Sequence, residues 1–498
     1  MRVGLRLFYN PSWMGGVNYV LNWARALKSL PAGERPHVTL LTAAPAAQAI
    51  AQQHADLGDA IASFQETAAL GLDFVYPATQ LAEAPFGAPW AGWIPDWQCR
   101  HMPEMFSARE AARRMLQYRL LARHAPVCVV SSRMADADTA QLFVDATAPR
   151  RVLHFPAVFA DEVYQRSAER IAATQARVGA PERYLIVCNQ FWRHKNHLAV
   201  LEALKRVRRD DVHVVMSGVV SDERWPDYAD KVRELLAHPD VARRATLLGS
   251  IDRDDQIDLM LGALGVLQPS RFEGWSTVVE EARALGLPSL LSEFAVHREQ
   301  NPPGAAFFDP DDADALADLL DDWFAAPPGK QTPEAALERQ SGYIQDCARA
   351  FLAVAAEAKR IYDPARHDPK PITAAALLEL KVDLAAGRIQ PEDEALFQAN
   401  ARALFREHPE ELARLGGYVG DEAYPLYPES MSTMIVASLA KMAPDARARF
   451  FEADLAGEQA AQFAGKRDAL ASPAGRFSLG AIAAAAKTRD FVRRKLNR

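Results

Sequence analysis

Residues 265–288, GVLQPSRFEGWSTVVEEARALGLP, read as strand, turn and helix in direct succession. GVLQ is a short apolar run, the pattern of a strand buried on both faces. Pro269 and Ser270 end it. Ser276 or Thr277 stands where a helix cap belongs, and the helical pattern runs to Gly286, a natural stop. Strand, turn and helix are half of a βαβ unit, so neighbouring stretches should repeat the theme. They do. YLIVC (184–188), VHVVM (212–216), ATLLG (245–249) and PSLLS (288–292) are further strand candidates. Between them lie the helical patterns NHLAVLEALKRV, DYADKVRELLAH and DDQIDLMLGA. The reading is a doubly wound α/β unit over about 160–325.

Further out, the first third of the chain shows the same alternation. RVGLRLF, HVTLLT, LDFVYP, WAGWIP and PVCVVSS are strand candidates, and VNYVLNWARALKSL is a helix. A polar stretch, APPGKQTPEA, leads from the second unit into a long helical run ending near Tyr362. After Asp363-Pro364 the strand signals stop. The expected organisation is a Rossmann-like domain over 1–160, a second over 161–366 that includes the long return helix, and a helical extension over 367–498. Two such sheets in series face each other across a cleft. Ligands bind outside the carboxyl ends of the strands, so functional residues should lie just after strands.

Composition narrows the function classes. The 498-residue chain carries a net charge of −7, without the basic surface that nucleic acid demands. Its four cysteines, Cys99, Cys128, Cys188 and Cys347, form no CxxC pair and suit neither a zinc site nor a disulfide framework. The start, MRVGLRLFYNPSW, lacks the apolar core of a signal peptide, and no run reaches the roughly 18 apolar residues of a membrane span. The expectation is a cytoplasmic protein that meets any lipid-linked partner from the membrane surface. The end of the chain, SLGAIAAAAKTRDFVRRKLNR, is a basic helical pattern suited either to solvent or to peripheral membrane contact.

Several residues pass the strand-end filter. After GVLQ come Glu273, Gly274, Trp275, Ser276 and Thr277, with Glu281 one turn into the helix. A carboxylate accepts from two donors at once, which suits sugar hydroxyls. Free amides at a helix start can hold a diphosphate. The plain alternative is that Glu280 and Glu281 form a solvated helix face and Glu273 a cap. After YLIVC come Asn189, Gln190, Arg193, His194 and Lys195, and cations there can neutralise a departing diphosphate. Gly15 and Gly16 follow the first strand, where they allow close backbone approach to a ligand or simply make a turn. Asp96 and His101 follow WAGWIP, and Ser131 and Ser132 end the next strand. The Asp-x-Asp triplets, Asp252 to Asp254 and Asp309 to Asp311, fall in polar turns and read as solvated caps rather than a metal site.

The 265–288 segment resembles the Glu-x7-Glu motif of the retaining glycosyltransferases of family four, which have the GT-B fold. Glu273 and Glu281 take the places of the two glutamates. Gly274, Ala282, Gly286 and Pro288 also fall in register, and Glu299 matches a further family glutamate. The resemblance covers about residues 1–365 and is strongest over 183–325. It implies a nucleotide-diphosphate sugar as donor, a glycan or lipid-linked acceptor, no metal and no other cofactor. It implies that Glu273 contacts the transferred sugar and Glu281 the ribose. Lys195 falls at a phosphate-binding position, whereas the family's preceding Arg is replaced by Asn189 or Gln190, leaving Arg193 as a candidate substitute. Gly15 and Gly16 match a glycine-rich loop. Either His101 or Asp96 matches a residue near the reacting sugar. A bacterial envelope polysaccharide or lipopolysaccharide is the product the resemblance suggests. The replaced Arg and the helical extension keep a non-catalytic nucleotide-sugar-binding scaffold as the alternative.

Overall fold

In the computed structural model, two parallel sheets follow one another along the chain. It describes residues 1–8, 14–79, 85, 87–106, 114, 117–118, 121–143, 146–222 and 225–368. The first sheet has seven strands: β1 (Arg2–Leu7), β2 (His37–Thr42), β3 (Ala60–Ser63), β4 (Phe74–Ala78), β5 (Trp90–Ile94), β6 (Val127–Val130) and β7 (Arg150–Val152). Their spatial order is β3-β2-β1-β4-β5-β6-β7. The second has six: β8 (Leu185–Cys188), β9 (Val214–Ser217), β10 (Ala245–Gly249), β11 (Gly265–Gln268), β12 (Ser289–Ser292) and β13 (Ala305–Phe308), in the order β10-β9-β8-β11-β12-β13. Every pairing between them is parallel.

Sequence explains the middle of each sheet. The four residues of β8, β9, β11 and β12 are all buried, as are those of β4, β5 and β6. Helices on both faces of a parallel sheet demand such near-continuous apolar runs. Three strands absent from the sequence expectation, β3, β7 and β13, are all edge strands. Their residues are mostly half-exposed, so they need no apolar run.

The order of each sheet reverses once, between β1 and β4 in the first and between β8 and β11 in the second. Such a switch point opens a crevice at the carboxyl ends, because the loops leave in opposite directions. The loops after β8 and β11 are those that carry Lys195 and Glu273.

The long helix Pro333–Ile361 ties the two halves together. Its N-cap Thr332 accepts from the backbone N–H of Ala335 at 3.3 Å. Gln340 near its start donates to the carbonyl of Ala157 at 2.9 Å. Farther along, Phe351 sits edge-on to Phe74 and Tyr76 and against Trp23, inside the core of the first sheet. The described residues form one compact unit. The helical extension expected from residue 367 lies outside the described residues from 369 onward, and with it the basic C-terminal pattern.

Candidate active site

The crevice of the second sheet is built around Gln268, the fully buried last residue of β11. Its amide nitrogen donates to Glu273 Oε1 at 2.9 Å and reaches the hydroxyls of Ser270 and Ser276, both at 3.1 Å. Its amide oxygen accepts from Asn189 Nδ2 at 2.6 Å, across the switch point from β8. Gln268 thus fixes the Glu273 carboxylate relative to both loops.

Lys195 closes the arrangement. It ends a short turn, Arg193–Lys195, and its Nζ stands 2.6 Å from Glu273 Oε1. Both side chains are largely buried. Burial alone would push the Glu273 carboxyl up. Lys195, with His194 and the hydroxyl of Ser270, outweighs it and holds the group below the usual carboxylate range. Glu273 is therefore a buried, charged acceptor beside a cation. His297 lies close enough to feel both charges. Its ring is buried, Nδ1 donates to the carbonyl of Ser292 at 3.0 Å, and burial brings its pKa down to about 4.

Glu281 sits on the helix Thr277–Ala284, 4 % exposed. Glu280 beside it is fully buried, so neither belongs to a solvated face. Glu281 Oε1 accepts from Arg253 Nη2 at 2.5 Å, and Oε2 is buried without a hydrogen bond. Ser276 occupies the N-cap position of this helix but makes no capping bond. Its hydroxyl faces Gln268, and its N–H donates to Gln300 Oε1 at 3.2 Å. One of the helix-start amides expected for a diphosphate is thereby engaged by the protein, next to Thr277, the first helical residue.

The first domain meets this site at Gly274. A Cβ there would stand 2.4 Å from the carbonyl oxygen of Pro95 and 2.8 Å from Asp96 Cβ. Only glycine allows this approach. Beside it, Trp275 stacks on His154, ring centroids 4.1 Å apart and nearly parallel. His154 Nε2 donates to Glu299 Oε1 at 2.7 Å. The Glu299 carboxylate also accepts from the backbone N–H of Arg133, at 3.0 and 2.9 Å. It therefore sits at the start of the helix Arg133–Leu142, where a negative charge is favoured. Ser132 caps that helix by accepting from the N–H of Ala135, and Ser131 accepts from the indole of Trp93.

The His101 ring stacks over Phe272, the neighbour of Glu273, and its Nε2 donates to Asp138 at 2.7 Å. Asp96 accepts from the N–H of Gln98 at 2.9 Å. The Arg193 guanidinium lies over the Trp225 ring at 4.1 Å. Asn189 is tied to Gln268, and the Gln190 side chain accepts from the N–H of Val219 at 2.9 Å. Gly15 and Gly16 lie within the first turn of the helix Met14–Lys28 rather than in a loop before it, Gly15 exposed and Gly16 buried. Asp254 is bound by Arg166 and Arg170, and Asp311 by Arg271. Among the described residues, no group of three His, Cys, Asp or Glu side chains is arranged to hold a metal ion. The four cysteines are free and buried, and no described helix is long and apolar enough to cross a membrane. Sequence reading missed Gln268, Arg253 and His154, and picked out Glu299 without its partner. Of the three that were missed, only Gln268 carried a signal, its position at a strand end.

Two parallel, doubly wound domains that meet across a cleft define the GT-B fold, and this chain has it. Residues 172–338, which span β8 to β13, match the family described as Glycosyl transferases group 1. Among solved structures, HepE from Anabaena in complex with UDP and glucose superposes with a TM-score of 0.54 at 16 % identity, over 71 % of this chain and 100 % of that one. A glycosyltransferase from Rickettsia africae gives 0.52 at 14 % identity, over 72 % and 98 %. At such identities the likeness is one of fold. No curated protein matches the chain.

Proposed function

We propose that this protein is a retaining, metal-independent glycosyltransferase that moves a hexose from a nucleotide-diphosphate sugar to a glycan or glycolipid acceptor. The observation that carries the reading is the buried Lys195–Glu273 pair at the β8/β11 switch point, with Glu281 on the helix that follows, inside the segment that matches group 1 glycosyl transferases. As the sugar–phosphate bond breaks, charge grows on the departing diphosphate. A preplaced ammonium in a water-poor cleft stabilises that charge without reorganisation. Glu273, held charged and oriented by Gln268, accepts hydrogen bonds from hydroxyls of the transferred sugar. Glu281 accepts from the ribose.

No side chain serves as nucleophile in this scheme. The acceptor oxygen attacks the anomeric carbon from the face the diphosphate leaves, the carbon–phosphate-oxygen bond breaks, and the acceptor proton passes to the departing phosphate. Configuration is retained. The reading places the enzyme in the cytoplasm, peripheral to the inner membrane surface, building an envelope glycan. HepE, solved with UDP, makes UDP-sugars the first donors to try.

One observation favours the second reading, a non-catalytic nucleotide-sugar-binding scaffold. Asn189 is bonded to Gln268 and the Arg193 guanidinium lies over Trp225, so neither is placed as the phosphate-binding Arg that the resemblance calls for. The deciding experiment incubates purified protein with UDP-, GDP- and ADP-hexoses in excess chelator and follows release of nucleoside diphosphate and the anomer of the product sugar. Slow hydrolysis or transfer with retention, abolished by Glu273→Gln, supports the enzyme. Binding without any turnover of wild-type protein supports the scaffold.

A further inference from the structure

Arg253 opens the helix Arg253–Gly262, just after β10, and reaches across to the helix that carries Glu281. Its Nη2 donates to Glu281 Oε1 at 2.5 Å and its Nη1 to Gln256 Oε1 at 3.0 Å. The guanidinium lies over the Phe159 ring, 5.5 Å from its centroid. Burial works against its charge, but Glu281 more than compensates. Arg25, from the helix Met14–Lys28 of the first domain, adds a second positive charge nearby. Three contacts therefore pin Arg253, and through it one oxygen of Glu281. The other oxygen, Oε2, is buried with no hydrogen bond. A buried acceptor without a donor bears its whole desolvation cost until one arrives.

A carboxylate that faces the vicinal diol of a ribose ordinarily has one oxygen for each hydroxyl. Here Oε1 is already engaged. We infer that Arg253 is a positioning residue of the donor site: it holds Glu281 by Oε1 and leaves Oε2 to take one ribose hydroxyl rather than two. The inference rests on the proposed role of Glu281 as the ribose ligand. Its consequence is specificity, because a donor that lacks the unread hydroxyl is accepted almost as well as the parent.

Calorimetry on the full chain with UDP, GDP and ADP first finds the diphosphate that binds tightest. Its 2′-deoxy and 3′-deoxy forms are then compared. Wild-type protein should bind one deoxy form about 10- to 100-fold more weakly, the loss of one hydrogen bond to a charged group, and the other within about threefold. Arg253→Met keeps an apolar stem near Phe159 but removes every donor, and should make both deoxy forms weaker than the parent. Arg253→Lys should restore the one-sided pattern. If both deoxy forms lose equally in wild-type protein, Glu281 grips two hydroxyls and the role of Arg253 falls while Glu281 remains the ribose ligand. An Arg253→Met protein that keeps the one-sided pattern overturns the inference too. If neither deoxy form loses, or no diphosphate binds, the ribose reading of Glu281 falls and takes the inference with it. The wild-type comparison can overturn the inference even if Arg253→Met fails to fold, and Arg253→Lys, which keeps the charge, then tests Arg253 itself.

Discussion

Replacing Gly274 with alanine probes whether the two domains meet at the reaction centre. The added Cβ would stand 2.4 Å from the Pro95 carbonyl oxygen and 2.8 Å from Asp96 Cβ. Neither neighbour is the tip of a flexible side chain, so neither can turn aside. Ordinary carbon contacts begin near 3.5 Å, so relief requires the loops to part by about 1 Å. Overpacking of that kind costs about 1–3 kcal/mol of stability. A misplacement of about 1 Å between reacting groups costs on the order of 10²-fold in rate. Glu281 and Arg253 both belong to the second domain, so they move together and the nucleotide keeps its ligands. Gly274→Ala should therefore lower turnover roughly 100-fold while nucleoside diphosphate affinity holds. Transfer or donor-hydrolysis kinetics and calorimetry on the same preparation measure both. A folded Gly274→Ala protein with wild-type turnover would refute the claim that this contact sets the geometry of the site.

The other residues separate by what they touch. Glu281→Ala should weaken nucleoside diphosphate binding by about 10- to 100-fold. Glu273→Gln, which preserves the shape of the Gln268 network, should leave that affinity near wild type while turnover collapses. Lys195→Ala should lower turnover more than donor affinity, by on the order of 10²–10³-fold. Calorimetry against kinetics checks all three, and a Glu273→Gln protein with full turnover would remove Glu273 from the reaction. His297 supplies a pH test. Its pKa lies near 4 in the folded chain against an ordinary 6.5. Between those values the unfolded chain holds the extra proton, so this contribution is complete above pH 6.5 and is lost as pH falls toward 4. Between pH 7 and pH 5 the loss is about 2 kcal/mol. His297→Asn, which can still donate toward Ser292, should flatten the pH dependence of urea unfolding by that amount. An unchanged dependence would show that folding does not lower the pKa of His297.

What could be read from the sequence follows from where each signal resides. A central parallel strand must be apolar on both faces, so LIVC, VVMS, GVLQ and SLLS declare themselves. AIAS, RRV and AAFF lie at or near sheet edges and owe their strand state to hydrogen bonds with a neighbour far along the chain. Nothing local marks RRV as β. The site divides the same way. Glu273 and Lys195 stand out as candidates because strand ends in a doubly wound sheet are where ligands bind. Arg253 could not be found: its partner is 28 residues away on another helix, and the RDDQ around it reads as a polar helix start. The contact between Gly274 and Pro95 joins two domains, and no periodicity encodes it.

Glu280 and Glu281 show why the fold, rather than residue type, assigns roles here. Consecutive helical positions point about 100° apart. That turn sends Glu280 inward, where it accepts from Gln300 Nε2 at 3.0 Å, with Arg283 at 3.2 Å. Burial lifts its carboxyl above the usual range despite that cation. Gln300 in turn brackets Ser276, bonding both its N–H and its carbonyl, so Glu280 helps to lock the start of the helix. Glu281 faces the other way, toward Arg253 and the end of β10, with one oxygen unfilled. Each carboxylate thus accepts one hydrogen bond and keeps its second oxygen buried without one; Arg283 of the same helix stands beside the unfilled oxygen of Glu280. A buried carboxylate that is held in place but not saturated has been desolvated in advance, and a ligand hydroxyl recovers that cost on binding. What separates the two adjacent glutamates is the direction each faces: Glu280 is bonded to the residue that brackets the start of the helix, and Glu281, to which the proposed function gives the ribose, meets Arg253 from another helix.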